Sequence, residues 1–437
     1  MVAQRLLPLW RRGAALGSIV LALGMGAAAL LTGAAASSGP WSALPPIPIS
    51  PGGHASFWKV VGNPSTPQDL AAATSRGVWV SSDGGQTWSA SSLGKFTWTL
   101  AYGSSGSVLY AGTAHAGVFR SSNSGLSWKQ ANLGLKNLDV RAIATGPTAI
   151  VLGTQQGVYV SGDGLAWAAA GLSSLSISAV AIVADTPLGV VAGSDQTAQP
   201  DNLYRSLAVG ADSGWQSIPG GDPGGAPVFS VAAGPVVKGG TTPPLLVGSL
   251  KGLYASSDDG GTWQAQTLAG GALWSVNTIA FDPDNPAVIY VGGDNGGSSG
   301  GGLQRTVNGG GAWAPFQQGL PSSEVTGLSA LSTTPLTVLA SVYNPFTREA
   351  AMARALDATA PPPVALRSSS GTPISVAASP TPTPTPTPRH QHQKAAKGSP
   401  VPWWVVVAVV VVLILVGISL AFYRRRRRQR LDAEAPP

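Results

Sequence analysis

Five segments of this 437-residue chain share one short pattern, Ser-x-Asp-x-Gly-x-Thr-Trp or a close variant, about 40 to 50 residues apart. Two copies are complete: Ser81, Asp83, Gly85, Thr87 and Trp88 form one, and Ser256, Asp258, Gly260, Thr262 and Trp263 the other. Ser121 to Trp128 carries Asn123 in the acidic position, followed by Gly125. Ser161 to Trp167 is a shortened copy around Asp163, and Thr306 to Trp313 carries Asn308 and Gly310. Ser206 to Trp215 keeps only the flanks. A unit that recurs at this period and ends in the same large aromatic restricts the chain to a repeat architecture.

The physics of the box is local. An Asp or Asn side chain bonds nearby backbone amides, and glycine tolerates positive φ, so the segment is suited to a tight hairpin. The serine hydroxyl can add a second local bond. The tryptophan that opens the next strand is large enough to fill the space between neighbouring sheets. These residues are therefore read as folding devices, not as catalytic groups. The pattern resembles the Asp-box (BNR) repeat of sialidase-like, sortilin-like and photosystem-assembly-factor-like β-propellers. The resemblance covers roughly residues 41 to 357 and implies a propeller; one such fold hosts many functions, so it implies no single activity.

Between the boxes lie short β-type runs with Gly and Pro punctuation and no helical period, which predicts four-stranded units in an all-β array. In the third unit these runs are 140–145, 149–153, 157–160 and, after the box, 167–170. Trp88, Trp128, Trp167, Trp215, Trp263 and Trp313 open the outer strands of six units. Three more runs follow Trp313, at 325–331, 336–342 and 350–356, without a Trp-led strand after them. Trp41-Ser42-Ala43 copies Trp88-Ser89-Ala90 at the other end of the domain. An N-terminal strand therefore completes the last unit, and the expectation is a seven-bladed β-propeller.

Charge divides the chain. The whole sequence carries +7, yet residues 41–388 hold 14 Lys and Arg against 17 Asp and Glu, a balance of −3. A nucleic-acid partner is not supported for such a domain. The positive excess lies at the ends. Residues 13–33 form an apolar run after Arg5, Arg11 and Arg12, so residues 1–38 are read as a signal peptide or N-terminal anchor. Trp403 to Tyr423 is 21 residues long, enough to cross a bilayer core of about 30 Å as a helix. Arg424 to Arg428 follows it at once, which places the C-terminus in the cytoplasm. The expected organisation is a propeller at 39–357, a Pro/Thr-rich disordered stalk at 358–400, a single C-terminal transmembrane helix at 401–423 and a basic tail at 424–437. The stalk would reach on the order of 130 Å if extended as polyproline II. This describes a single-pass protein of the plasma membrane with its propeller outside.

The chain has no cysteine and four histidines, so thiol chemistry and disulfides are excluded and neither a metal site nor a cofactor is expected. Asp282 and Asp284 sit in a Phe-Asp-Pro-Asp-Asn-Pro segment that reads as a turn, with calcium ligation the weaker reading. Arg120, Arg205, Arg305 and Arg354 each fall just before a box position, which stem packing explains without an anion. A sialidase resembling the known ones would need an arginine cluster, a Tyr/Glu pair and a Phe-Arg-Ile-Pro-type segment. That segment is absent, and Glu324 and Glu349 are the only glutamates before the tail. A two-carboxylate hydrolase could draw on Asp139, Asp294 and Glu324. The preferred class is a binding propeller for an extracellular protein or glycan. Aligning the inner strands gives one column, Trp58, Trp98, Arg141, Ser178, Phe229, Asn277 and Thr326, at the channel mouth opposite the boxes. Of these, Trp58, Trp98, Arg141, Phe229 and Asn277 are the candidate ligand contacts, with the loops 194–201 and 293–302 as a rim.

Overall fold

A computed structural model describes residues 39–368, apart from 49–55, 186, 198–200, 210–213, 219–222, 224, 271–274, 295–301, 345 and 348. The expected leader, the stretch from 369 to 400, the apolar segment and the basic tail lie outside these residues. Among the described residues no helix is long and apolar enough to cross a membrane.

Seven antiparallel sheets of four strands each succeed one another along the chain. Their inner strands are Phe57–Gly62, Thr97–Tyr102, Val140–Thr145, Ile177–Asp185, Val228–Ala233, Ser275–Asp282 and Glu324–Leu331. Each inner strand lies beside that of the next sheet, and Glu324–Leu331 returns to Phe57–Gly62, so the sheets close into a ring. The first six blades are meanders of consecutive strands. The seventh is assembled from both ends of the domain: Trp41–Ala43 pairs antiparallel with Glu349–Asp357, placing Trp41 opposite Ala355. That leaves no unpaired outer edge on the last blade, the usual liability of an open sheet.

The apolar interior is divided among the interfaces. Each of seven buried clusters bridges two successive blades, and each holds one tryptophan of the repeat. Trp88, for example, packs with Val60 and Leu70 of its own blade and with Leu331, Leu339 and Met352 of the seventh. Trp41 fills the equivalent place between blades six and seven. Trp41 opens its outer strand, but the other six tryptophans do not open theirs as expected. They stand one residue ahead of them, in the turn (Ser89–Ala90 follows Trp88), and plug the interface from the box. Close blade approach also needs a missing side chain: a Cβ on Gly248 would lie 2.5 Å from the Val276 carbonyl, and one on Gly292 2.5 Å from Val325.

The boxes fold on themselves. Ser81 Oγ accepts from the Gly85 amide at 2.8 Å and donates to Asp83 at 2.7 Å, while Asp83 accepts from the Thr87 amide and hydroxyl at 2.9 and 2.6 Å. Ser256, Asp258, Gly260 and Thr262 repeat the arrangement. Asn123 and Asn308 substitute as acceptors for the amides of Ser127 and Ala312, and Asp163 takes those of Leu165 and Ala166. The Asp282 carboxylate likewise accepts the Asp284 amide at 2.8 Å, a turn of the kind its sequence indicates.

Residues 358–368, which composition assigns to a disordered stalk, instead lie on the propeller. Pro362 and Val364 bond Asn285 and Asp284 of blade six. Leu366 then forms a bridge with Val237 beyond the inner strand of blade five, flanked by Lys238–Ala365 and Arg367–Val236 backbone bonds. The loop beyond that strand offers free amides and carbonyls, and an extended Pro-rich chain can satisfy them without forming regular structure.

Candidate functional site: the mouth of the axial channel

The seven residues of the predicted column all line one axial cavity of about 170 Å³. Their common position has a specific cause. In blade one, Phe57 pairs with Thr74 and Lys59 with Ala73, which leaves Trp58 without a partner across the ladder. The same one-residue slip falls at Trp98, Arg141, Ser178, Phe229, Asn277 and Thr326. Every inner strand therefore carries a β-bulge at the same level, and a bulge re-aims the extra side chain out of the ladder. The preceding residues, Phe57, Thr97, Val140, Ile177, Val228, Val276 and Val325, are all buried. Uniform buried residues hold the strands in place, while the variable ones are delivered to the axis.

The bulge residues divide by what they do. Thr326 donates to the Phe57 carbonyl at 2.9 Å, and Ser178 to the Val228 carbonyl at 2.7 Å, so these two tie adjacent blades together. Trp58 and Trp98 form an aromatic cluster with ring centroids 5.0 Å apart. Phe96, one turn residue ahead of its strand, completes the cluster at 6.0 and 4.5 Å. Sequence reasoning missed Phe96 because the alignment began at the strands; an aromatic two positions before Trp98 was the available signal. The indole nitrogens of Trp58 and Trp98 are buried without an acceptor.

Arg141 stands over Trp98 at 5.8 Å from its ring centroid and bonds Asp195 at 3.0 Å. Its Nε lies 3.5 Å from Asp139, which in turn stands 3.7 Å from His115. Asp195 belongs to the loop expected at the rim, and the bond shows that this loop does reach the mouth. Asn277 accepts from the Ser275 hydroxyl at 3.0 Å. Lys59 follows the first bulge and also lines the cavity; burial lowers the pKa of its ammonium. Its role was not foreseen, since a single lysine in a strand has no motif.

Of the carboxylates considered for hydrolysis, Asp139 is taken up with Arg141. Glu324 is held above its ordinary value, by burial first and then by the charge of Asp294. Two of the arginines before the boxes are held at blade interfaces. Arg354 donates to the Gly84 carbonyl in the next blade's box, and Arg305 pairs with buried Asp357 while lying 4.9 Å from the Phe316 ring. Among the described residues no group of three or more His, Cys, Asp or Glu is placed to hold a metal.

The ring of sheets and its axial cavity define the class, a seven-bladed β-propeller. No family model matches the chain, and no curated protein matches it. Among solved structures it is similar to YCF48 from Cyanidioschyzon merolae, at 14% identity and TM-score 0.51, covering 72% of this chain and 98% of that one. It is similar also to YCF48 bound to D1 peptide, at 16% identity and TM-score 0.52, covering 74% and 97%. A GH74 xyloglucanase from Xanthomonas campestris matches at 18% identity and TM-score 0.52 over 71% of this chain, which spans 55% of that enzyme. At these identities the likeness establishes the fold.

Proposed function

We propose that this chain is an Asp-box propeller held at the cell surface, whose channel mouth binds an extracellular protein or glycan. The observation that carries the reading is the ring of bulge residues. Five of its seven positions bring Trp58, Trp98, Arg141, Phe229 and Asn277 to one concave site, and aromatic walls with few convergent polar groups are what binding sites contain. A solved propeller of similar fold is bound to a peptide, which supports a protein ligand over a glycan. The N-terminal leader, the stretch beyond Ser368, the Trp403–Tyr423 span and the basic tail supply the tether in this reading. Crosslinking full-length protein in its own envelope, followed by identification of the captured protein, is the test. Trp98→Ala and Arg141→Ala, still folded, should each lose at least tenfold in capture. Undiminished capture by both variants would move the binding face away from the mouth.

A second reading, a glycoside hydrolase, rests on Glu324 and Asp294 at the same end of the ring. A carboxylic acid held above its usual range beside a second carboxylate is the arrangement of a general acid and its partner. Turnover of chromogenic glycosides that Glu324→Gln abolishes would establish it.

A further inference from the structure

The charges around the cavity do not balance. Among the described residues two cations line it, Lys59 and Arg141, and no carboxylate does. Arg141 is compensated from behind by Asp195 and Asp139, and Asp139 also has His115 beside it. Lys59 has no ion-pair partner among the described residues, although its side chain is half-buried in the wall. A half-buried ammonium without a counter-charge is a cost to the fold. Asn277 adds a second donor: its Oδ1 accepts from Ser275, and its amide nitrogen has no hydrogen-bond partner among the described residues. Trp58, Trp98 and Phe229 stand in the same wall, among small polar and aliphatic residues.

We propose that the axial cavity is a receptor for a single carboxylate on an apolar stem, with Lys59 as its counter-ion, Asn277 as a second donor and the Trp58–Trp98 cluster as the wall for the stem. This rests on the mouth being the binding face and names the chemistry that it takes. One uncompensated positive charge matches a monoanion. A dianionic phosphate would bring a second negative charge that nothing in the wall answers. A cationic ligand would meet Lys59 and Arg141 together and is disfavoured. The carboxylate arrives either as the chain terminus of a protein partner or as an acidic side chain.

The experiment is calorimetric titration of the full-length protein with sodium benzoate, sodium acetate and inorganic phosphate. A leucine-terminated pentapeptide is added as free acid, as amide, and as amide with one internal glutamate. Benzoate should bind more tightly than acetate because its ring gains the aromatic wall, and phosphate should not bind. Lys59→Met should lose at least tenfold in benzoate affinity, because it removes the counter-ion. Without ligand that variant should melt no lower than the parent, because it removes the unpaired charge. Trp98→Ala should weaken benzoate more than acetate.

Binding of the free acid alone assigns a chain terminus; binding of the glutamate-bearing amide assigns a side chain. Equal benzoate affinity in Lys59→Met and the parent, binding of phosphate as tight as benzoate, or no carboxylate binding at all would overturn the inference. Partner capture that still depends on Trp98 and Arg141 in that event would leave the docking reading standing.

Discussion

Trp41 and Phe316 are 275 positions apart in sequence, yet the Trp41 indole donates to the Phe316 carbonyl at 2.6 Å. Their rings meet edge-on with centroids 6.1 Å apart. The same contact recurs at two other blade interfaces. Trp167 donates to Ala131 and Trp215 to Ala170, in each case three residues after the tryptophan of the preceding blade. Phe316 stands three residues after Trp313, so Trp41 serves the seventh blade as Trp167 and Trp215 serve theirs.

Removing Trp41 should therefore cost as much as removing a tryptophan from a complete box. Trp41→Ala and Trp88→Ala are each expected to destabilise the propeller by about 3–5 kcal/mol, the range for a large buried aromatic, measured by denaturant unfolding. Deleting residues 39–46 should do more, since it strips the outer strand from blade seven and exposes the edge of Glu349–Asp357 to aggregation. Silent thermal unfolding of the deletion would mean that another segment closes the ring.

Stability should fall in acid through the boxes. Bonds from the Thr87 hydroxyl and amide hold Asp83 down at about 2, and the Thr262 amide with the hydroxyls of Ser256 and Thr262 does the same for Asp258. Both folded values lie below the ordinary 3.8, so folding favours the ionised carboxylates. Their contribution is complete above about pH 4 and is lost as the pH falls through about 2. Melting temperature followed from pH 5 to pH 2 should drop, and the Asp83→Asn/Asp258→Asn double variant should flatten that drop.

Asp357 should be the most sensitive carboxylate in the domain. It is 3% exposed and accepts from Tyr290, Arg305 and Thr359. Burial opposes its charge, but these bonds prevail and hold it below its usual value. Asp357→Ala removes the counter-charge of Arg305 and the acceptor of Tyr290, a loss of about 3–5 kcal/mol. Asp357→Asn should be milder. Urea midpoints for the two variants, compared with the parent, decide the matter.

The docked segment after Asp357 should be visible in hydrogen exchange. The amides of Lys238 and Arg367 bond across the two segments, so both should exchange slowly and with a common rate. Ending the protein after Ala360 should speed exchange at Lys238 by roughly tenfold or more while leaving the blades protected. Fast exchange at Arg367 in the parent would mean that the segment is not held.

What the sequence determined by itself is the repeating unit and its number. Each box is closed by bonds between residues no more than four positions apart, such as Ser81 with Gly85 and Asp83 with Thr87, so its signature is readable without any distant partner. The column of bulge residues was legible because the inner strands can be aligned with one another along the chain, repeat by repeat. Tertiary structure decided everything that depends on which blades face one another. Arg141 meets Asp195 from 54 residues away, and the chain after Asp357 settles on Val236–Lys238 instead of leaving the domain. Lys59 is left without a counter-charge for the same reason. Pairing across an axis is set by ring closure, which brings together side chains whose separation along the chain carries no trace of their proximity.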